Sequence, residues 1–494
     1  MLLQMASDGM PDRLAIGSAR DGSTMADMAQ KARRIAAHLV DRGAQQLVLV
    51  DVNSDAVPLA LFGAALACRP FVPVNYRLPD DQLRAIVARC APALVVAGEG
   101  VADRLGPIDG IDVISRKNLL AVADDPDAPE SSMDGGDPDD IAVLLYTSGT
   151  TGEPKAAVLR HRNLASYILS TVEFAGADDD QAAIVSVPPY HIAGVSSVLS
   201  SAYSGRRVVY LEQFDPTQWV QLVRDEGVTH SMVVPTMLNR IVDIVEESGE
   251  GLPSLRNLSY GGGPMPVSVI ERAMALLPDV SFVNAYGLTE TSSTIALLGP
   301  DDHRAAFTSE DPAVRGRLAS VGRPLPSVEV SIRDADGEPL PANERGEVWV
   351  RGEQVSGEYL GRDAGDDWFR TRDAGHLDDA GFLYLHGRLD DVIVRGGENL
   401  SPGAIEDALI SHPAIAAAAA VGVPDTEWGE KVVAAVVLVD EASVSEDELR
   451  EYVRARVRST MTPERIQIRG ELPFSETGKL LRRVLREELA AEFG

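Results

Sequence analysis

The sequence is poor in cysteine and in positive charge. Its 494 residues include two cysteines, Cys68 and Cys90, which cannot build a disulfide framework and share no metal-ligand spacing with the eight histidines. We expect both to be buried as small apolar groups. The formal net charge of −30 argues against nucleic acid as a partner, because its phosphates would be repelled.

Long apolar runs are also missing. The longest near-uniform one, Ala414 to Val423, is shorter than the ~20 residues that a membrane helix needs. Residues 1–8 have neither the basic region nor the apolar core of a signal peptide. We therefore predict a cytoplasmic protein without an integral membrane segment. A length of 494 residues predicts at least two domains.

The chain does contain a run of hydroxyl and glycine residues that could hold phosphate. The run extends from Thr147 to Gly152, and Lys155 adds a positive charge. Such clusters are also typical of ordinary surface turns. Here, however, Ile141 to Leu145 and Ala156 to Leu159 are apolar runs of strand length, so the loop is predicted to join two strands.

The glycine spacing fits a P-loop ATPase poorly. A Walker A loop has the pattern G-x-x-x-x-G-K-[ST] and opens a helix. Gly149 and Gly152 are instead separated by two residues, and two more separate Gly152 from Lys155. The next helix is predicted only near Asn163, with one face formed by Leu164, Ile168 and Val172.

The rest of the chain alternates helical and strand patterns, which indicates an α/β fold with open, largely parallel sheets. Residues 124–140 lack periodicity and are predicted to form an exposed connection. The predicted helices are Met25–Asp41, Pro58–Ala67, Ala404–Ser411 and Glu446–Arg458. The predicted strands are Leu47–Val52, Phe71–Val74, Ala183–Val187, Asn257–Tyr260, Ser281–Val283, Gly346–Gly352, Ala414–Val423, Lys431–Val439 and Arg465–Ile468.

Three loops follow predicted strands, at the place where open α/β sheets collect ligands. A lone histidine, a glycine run or a single acid is often structural, so each loop has an ordinary alternative. The loops are Pro188 to Gly194 with His191, the run Gly261-Gly262-Gly263-Pro264, and Asn284 to Thr291 with an aromatic ring, a hydroxyl and a carboxylate.

These segments together resemble the adenylate-forming superfamily, which includes acyl-CoA synthetases, adenylation domains of peptide synthetases and luciferases. Three later segments match it in order: Trp368 to Asp373, Gly387 to Pro402, and Pro473 to Arg483. The resemblance implies a large multi-layer α/β N-terminal domain (residues 1–387), a hinge (388–391) and a small mobile α+β C-terminal domain (392–494) that carries the catalytic lysine. It implies an enzyme that converts a carboxylic acid and MgATP to an acyl-adenylate and pyrophosphate, then passes the acyl group to coenzyme A.

The resemblance also implies a role for individual residues. The ATP or AMP site would comprise Thr147, Ser148, Gly149, Thr150, Thr151, Gly152, Lys155, Gly261, Gly262, Gly263, Pro264, Asn284, Ala285, Tyr286, Gly287, Thr289, Asp373, Arg388 and Lys479. Catalytic roles fall to Lys479, Glu290, Thr289 and His191, with magnesium on Glu290 and Thr147. Asp390 would be the hinge, and Arg395, Gly396 and Gly397 would meet CoA. The acyl pocket would be formed by His191, Ala193, Gly194, Val195, Ser196, Val234, Thr236 and Met237.

One departure and several alternatives accompany this interpretation. Arg372 stands where the family usually has a glycine before the ribose-binding aspartate, so the local backbone is hard to predict. The small or apolar pocket residues suit a fairly bulky, mostly apolar acid, such as an aryl, alicyclic or medium-chain acid of fatty or aromatic acid metabolism. Residues 229–240 and 286–293 also resemble o-succinylbenzoate-CoA ligases. A carrier protein as acyl acceptor, a non-catalytic nucleotide-binding protein and a homodimer are open alternatives.

Overall fold

The structure is a computed structural model, and it describes residues 1–132, 136–147, 155–362, 367–439, 442–474 and 480–494. Within these ranges the chain forms 16 α-helices and 25 β-strands, and the strands assemble into four sheets. None of the described helices is both long enough and apolar enough to cross a membrane. The parallel sheets with covering helices confirm the predicted α/β class.

The N-terminal quarter of the chain alternates helices and strands as predicted. Its elements are α1 (Leu2–Gly9), β1 (Leu14–Ile16), β2 (Ser23–Thr24), α2 (Met25–Asp41), β3 (Gln46–Val50), α3 (Ala56–Leu66), β4 (Phe71–Pro73), α4 (Asp80–Ala88), β5 (Ala93–Ala97), α5 (Val101–Leu105), β6 (Ile111–Ser115) and α6 (Arg116–Asp124).

Helix α2 occupies its predicted range, and its first turn shows why it begins there. The Thr24 hydroxyl accepts a hydrogen bond from the backbone N–H of Asp27 (3.1 Å). The Asp27 carboxylate accepts one from the backbone N–H of Thr24 (3.0 Å). This reciprocal capping box satisfies two otherwise unpaired donors and fixes the start of the helix.

The middle of the chain continues the same alternation. Its elements are β7 (Ile141–Thr147), β8 (Lys155–Arg160), α7 (His161–Thr171), β9 (Ala182–Val185), α8 (Ile192–Ser204), β10 (Arg207–Tyr210), α9 (Pro216–Asp225), β11 (His230–Val233), α10 (Pro235–Ser248), β12 (Asn257–Gly261), α11 (Val267–Leu276), β13 (Ser281–Leu288), β14 (Ser293–Leu298), α12 (Pro300–Thr308) and α13 (Pro312–Arg315).

The remaining elements are mostly strands. They are β15 (Arg323–Pro324), β16 (Glu329–Arg333), β17 (Gly346–Arg351), β18 (Glu358–Tyr359), β19 (Phe369–Leu377), β20 (Leu383–Arg388), β21 (Ile393–Arg395), β22 (Glu398–Leu400), α14 (Pro402–Ile410), β23 (Ile415–Asp425), β24 (Gly429–Leu438), α15 (Glu446–Arg454), β25 (Arg465–Arg469) and α16 (Arg482–Phe493).

Two large sheets form the bulk of the structure. A seven-stranded sheet has the order β18-β8-β7-β4-β3-β5-β6, and a nine-stranded sheet has the order β15-β14-β13-β12-β11-β9-β10-β1-β2. The inner strands of each sheet are parallel. Antiparallel strands close both edges of the nine-stranded sheet and one edge of the seven-stranded sheet, whose other edge strand, β6, is parallel to β5. Leu47 and Leu49 of β3 share one buried cluster with Val195 and Val198 of α8, so a common core joins the two sheets.

Two smaller sheets follow. An antiparallel four-stranded sheet has the order β16-β17-β19-β20, and a five-stranded sheet contains β21 to β25. Strands β23 and β24 bury both faces, because Ala434 and Val436 lie in one cluster while Val433 and Ala435 lie in another. This explains the nearly unbroken apolar run in that part of the sequence.

Several predicted boundaries were wrong. Strand β13 extends to Leu288, five residues beyond its predicted end, because its second half pairs with β14. Helix α15 ends at Arg454 instead of Arg458, where the backbone N–H groups of Arg456 and Val457 both bond to the carbonyl of Val453 and tighten the turn. The other elements differ from prediction by at most two residues at either end, within the usual uncertainty of element boundaries.

The two cysteines differ in environment. Cys90 is buried, and burial raises the pKa of its thiol to about 11. Cys68 is only half-buried and has a positive φ of 52°, so the prediction of burial was wrong for this residue. It lies two residues after the end of helix α3, in the turn that leads to β4.

Candidate active site

The predicted phosphate loop is closed by a β-hairpin. Thr147, the last residue of β7, pairs with Lys155, the first residue of β8, and the Thr147 hydroxyl donates to the Lys155 carbonyl (3.4 Å). The predicted pair of flanking strands is thereby confirmed. The intervening candidates lie outside the described residues; they are Ser148, Gly149, Thr150, Thr151 and Gly152.

The glycine run follows the carboxyl end of β12. Gly261 pairs with Ala285 of β13, and a Cβ atom on Gly261 would lie only 2.2 Å from the Ala285 carbonyl oxygen. Gly262 has a φ of +81°, in the region that favours glycine. Both positions therefore require glycine, and the run reaches the ligand-collecting edge of the nine-stranded sheet.

A buried cluster joins the predicted adenine and ribose residues. The Tyr286 hydroxyl donates to Oδ2 of Asp373 (2.5 Å), and Nη1 of Arg388 lies 3.2 Å from Oδ1 of the same carboxylate. Asp373 and Arg388 are paired across β19 and β20, which fixes their separation. Burial and the Asp373 charge raise the pKa of the Tyr286 phenol, so it stays protonated as a donor.

The backbone before Asp373 is as unusual as the missing family glycine suggests. Arg372 has a φ of +61°, a left-handed conformation that costs a non-glycine residue roughly 1–3 kcal/mol. Its guanidinium points to the predicted hinge, with Nη1 3.4 Å from Oδ1 of Asp390. Asp373 itself keeps its expected place in β19 despite the substitution.

Glu290 is buried in a 3₁₀ turn, Thr289–Thr291, directly after β13. The Glu290 backbone carbonyl accepts hydrogen bonds from the N–H groups of Ser356 (2.8 Å) and Gly357 (3.1 Å). Its carboxylate accepts a short hydrogen bond from the Tyr359 hydroxyl. Strand β8 also contacts this turn, so Thr147, Lys155 and Glu290 belong to one region of the molecule.

Sequence reasoning missed Tyr359. It lies in a strand of two residues, too short to show periodicity, and its contact with Glu290 spans 69 positions of the sequence. The Lys155 ammonium lies 6.0 Å from the centre of the Tyr359 ring. No local pattern marks such a residue, because its partners are assembled only by the sheet.

The predicted acyl-pocket residues divide into two groups. Thr236 and Met237 line a cavity of about 280 Å³ together with Pro188 and Pro189, which precede His191. The remaining wall of this cavity is more polar than predicted, since it includes Asn53, Tyr76, Arg77, Ser186, Glu212, Gln213, Phe214, Arg240 and Phe474.

Most of the other predicted pocket residues lie on or beside helix α8, whereas Val234 is the N-cap residue of α10. His191 occupies its N-cap position, and Ala193 and Gly194 are in its first turn. The Ser196 hydroxyl accepts a hydrogen bond from the Ser293 hydroxyl (3.3 Å), which joins α8 to β14. Two further members, Val195 and Val234, are buried in hydrophobic clusters.

The predicted CoA-contacting residues are placed in the hairpin formed by β21 and β22. Nη2 of Arg395 lies 2.6 Å from Oε1 of Glu464, and the Gly396 N–H donates to the Trp428 carbonyl (2.7 Å). Gly396 and Gly397 both have positive φ, which the turn of this hairpin requires. Trp428 is 46% exposed beside the hairpin, and sequence reasoning missed it.

The predicted catalytic Lys479 lies outside the described residues, but its flanks are defined. Phe474 and Leu480 form an antiparallel bridge, and the Leu481 N–H donates to the Pro473 carbonyl (2.7 Å). Phe474 lines the cavity that also contains Met237. The segments before and after residues 475–479 therefore contact each other, and Phe474 in the first segment also borders the cavity that Met237 lines.

Two family models match this chain. The model described as AMP-binding enzyme matches residues 3–360, and the model described as AMP-binding enzyme C-terminal domain matches residues 404–479. Together with these matches, the fold defines an adenylate-forming enzyme with a large N-terminal and a small C-terminal domain. The chain belongs to the family of AMP-binding enzymes.

Three known proteins show how far the likeness extends. The long-chain-fatty-acid–CoA ligase FadD13 of Mycobacterium tuberculosis is 33% identical over 493 residues, 95% of this chain and 93% of that protein. The fatty acid–[acyl-carrier-protein] ligase ScoC of Streptomyces coeruleorubidus is 32% identical over 86% of this chain and 83% of that one. The o-succinylbenzoate CoA synthetase MenE from Bacillus subtilis, solved with its acyl-adenylate intermediate, has a TM-score of 0.84 and 27% identity, covering 98% and 97% of the two chains. This chain is accordingly an enzyme of the acyl-CoA synthetase type.

Proposed function

We propose that the enzyme joins a carboxylic acid to coenzyme A in two steps through an acyl-adenylate. The carrying observation is the Tyr286–Asp373–Arg388 cluster, which brings an aromatic ring, a carboxylate and a guanidinium to the edge where two parallel strands end. Tyr286 stacks on adenine, Asp373 binds the ribose hydroxyls, and Arg388 reaches the ribose or the phosphates. The glycine run from Gly261 lets the backbone approach the flat adenine ring closely.

Phosphate and magnesium are assigned to the hairpin and to the turn after β13. Among the described residues, no three His, Cys, Asp or Glu side chains converge as a metal site of protein ligands would require. Magnesium, however, commonly takes only one or two carboxylates and completes its shell with water and phosphate oxygens. The buried Glu290 carboxylate and the Thr147 hydroxyl suit that ligand set, and Lys155 and Thr289 remain for the phosphates.

The first chemical step needs little acid–base help. A carboxylate is already ionised near neutral pH, so it attacks the α-phosphorus of ATP directly. Catalysis is then mainly positioning and neutralisation of phosphate charge. We assign the second task to Lys479, whose ammonium bridges the acid and the α-phosphate, while His191 borders the acyl pocket.

The second step requires a change of domain arrangement. We assign residues 1–387 and 392–494 to the two domains and residues 388–391, which include the 3₁₀ turn Leu389–Asp391, to the hinge between them. Rotation about Asp390 would withdraw Lys479 and bring the Gly396-Gly397 turn to the site, where it meets the pantetheine arm of CoA. Arg395 then contributes positive charge near that arm.

The acid is proposed to be larger than acetate and to carry a polar group. The cavity of about 280 Å³ has apolar walls at Met237, Pro188 and Pro189, but Arg77 and Arg240 also border it. An aryl acid with a second polar group or an o-succinylbenzoate-like acid fits a mixed lining of this kind. A simple aliphatic acid without a second polar group uses less of the wall.

A panel of acids assayed with ATP tests this function directly. We expect acid-dependent pyrophosphate release with a subset of the panel, and acyl-CoA formation when CoA is added. An acyl carrier protein should be supplied in parallel, because the ScoC likeness makes a carrier the second candidate acceptor. Formation of acyl-carrier thioester without acyl-CoA would transfer the assignment to that class, and absence of acid-dependent pyrophosphate release would leave a non-catalytic nucleotide-binding protein.

Glu290→Gln tests the magnesium assignment. Glutamine keeps the shape of the side chain and can still accept the Tyr359 hydrogen bond, so we expect an intact fold. Loss of the negative charge should raise the Mg²⁺ concentration needed for half-maximal adenylation and slow the step. The measurement is a Mg²⁺ titration of acid-dependent pyrophosphate exchange, with circular dichroism as the folding control. An unchanged titration would contradict the assignment.

A further inference from the structure

Tyr359 contacts two oppositely charged side chains of the site. Its hydroxyl donates to Oε1 of Glu290, and its ring centre lies 6.0 Å from Nζ of Lys155. Within the described part of the chain, no ion pair joins Lys155 to Glu290. The same side chain therefore contacts the carboxylate through its hydroxyl and the ammonium through its ring.

The backbone around Tyr359 is firmly attached on both sides. Strand β18 pairs with β8, and the Leu360 N–H donates to the Ala156 carbonyl (2.9 Å). Two residues before the strand, Ser356 donates its N–H to the Glu290 carbonyl (2.8 Å). The same short segment thus connects the phosphate hairpin to the turn that carries Glu290.

A side-chain ion pair secures the segment further. The guanidinium of Arg160 in β8 donates two hydrogen bonds to Glu358, of 2.9 and 2.8 Å. Bidentate pairs of this kind hold orientation as well as distance. Because Glu358 directly precedes Tyr359, this pair restrains the backbone that carries the phenol.

The Tyr359 hydroxyl is suited to hold a carboxylate without neutralising it. A tyrosine hydroxyl is ordinarily a neutral hydrogen-bond donor. A neutral donor fixes one carboxylate oxygen and leaves the charge and the second oxygen for a cation. A lysine in the same place would cancel the charge.

We propose that Tyr359 is a positioning residue for adenylation, which holds the Glu290 carboxylate toward the magnesium ion and keeps it apart from Lys155. The proposal rests on the proposed function for the identity of the cation and of the ATP phosphates. In the absence of ATP, Tyr359 would preserve a separated pair of charges, one for magnesium and one for phosphate. The site would then be ready for MgATP without first breaking an internal ion pair.

Tyr359→Phe tests the hydrogen bond alone, since the ring and its contact with Lys155 remain. Losing a partner that orients a metal ligand typically costs ~10–100-fold in metal affinity or activity. We expect weaker binding of Mn²⁺ in the presence of ATP, measured by electron paramagnetic resonance of the free ion, by about that factor. The Mg²⁺ concentration for half-maximal pyrophosphate exchange should rise in parallel, while the rate at saturating Mg²⁺ changes less.

Tyr452→Phe is the matched control. The Tyr452 hydroxyl donates to the Ser411 carbonyl (2.8 Å) in the small domain, and we assign it no part in the reaction. Both variants lose a hydrogen bond that the phenol donates, and Tyr452→Phe also loses one that the Ser411 hydroxyl donates to it (3.4 Å), so a general effect on folding would appear in both. Only Tyr359→Phe should change Mn²⁺ binding.

Tyr359→Leu tests the separation of charges. Removing the phenol gives Lys155 and Glu290 room to pair, so we expect this variant to bind ATP more weakly than Tyr359→Phe at saturating Mg²⁺. Equal ATP affinity in the two variants would overturn this part of the proposal.

The cation measurement separates this proposal from the function itself. Unchanged Mn²⁺ binding in Tyr359→Phe, or loss of stability without a change in cation affinity, would overturn the role of the hydrogen bond. Mn²⁺ binding that weakens as expected would support it even if none of the acids tested became an acyl-CoA. If Tyr359→Phe formed acyl-CoA with a normal Mg²⁺ dependence, the inference would be wrong, whereas the proposed function would be supported.

Discussion

Acid-dependent pyrophosphate exchange is expected to fall ~10²–10³-fold in Lys479→Ala, the typical cost of losing one preorganised electrostatic donor. The ammonium would neutralise charge only while the α-phosphate and the carboxylate meet, so it serves adenylation and not thioester formation. The variant should still convert supplied acyl-adenylate and CoA to acyl-CoA. Comparison of the two half-reactions in one preparation checks both expectations.

The flanks of residues 475–479 support this assignment. Phe474 reaches the cavity beside Met237, at the face of the large domain that carries the candidate acyl pocket. On the other side, Arg482 begins helix α16 with its Nη2 donating to Glu406 (2.8 Å) and its Nε 3.4 Å from Oδ2 of Asp391. The start of the last helix is thus tied to the hinge turn, so a rotation at the hinge would also move the lysine.

Arg483→Ala provides a charge-matched control for the lysine variant. Arg483 is exposed on α16 and pairs only with Glu487 on the same helix among the described residues. An exposed pair of this kind contributes little to stability. If Lys479→Ala exchanged pyrophosphate at the rate of Arg483→Ala, the catalytic assignment would be wrong.

The sequence predicted the elements whose residues carry their own periodicity. The strands on both sides of the phosphate loop and helix α2 could be placed because apolar spacing and capping are local signals. The continuation of β13 through Tyr286 to Leu288 could not, because it depends on pairing with β14. Pairing is a non-local property that a single segment does not reveal.

The same distinction applies to the site. Tyr286, Asp373 and Arg388 were expected to serve one nucleotide, and the structure places their polar atoms in direct contact. Tyr359 was not predicted, because its strand has only two residues and because its contacts with Glu290 and Lys155 are distant in sequence. The missing glycine indicated that the backbone at Arg372 is unusual, and the structure shows it to be left-handed. The contact between Arg372 and Asp390 could not be predicted, because it forms only when two chain segments are brought together.

Asp390→Pro is expected to slow thioester formation and spare adenylation, whereas Lys479→Ala should slow adenylation and spare thioester formation. Asp390 lies in a 3₁₀ turn, where φ is near −60°, and proline fixes φ near −65°. The substitution therefore suits the present arrangement and restricts rotation away from it. Hinges are a few residues that absorb a large change in φ and ψ, so proline here should oppose the second arrangement.

The variant should retain pyrophosphate exchange, accumulate enzyme-bound acyl-adenylate and form acyl-CoA slowly. A penalty on the order of 3 kcal/mol for a disallowed proline conformation corresponds to roughly a 10²-fold smaller rotated population. Asp390→Ala is the matched comparison, because it removes the same carboxylate and its contact with Arg372 but leaves φ free. It should form acyl-CoA faster than the proline variant. The reverse pattern, with exchange lost and thioester formation from supplied adenylate intact, would mean that the substitution damages the ATP site and that the hinge lies elsewhere.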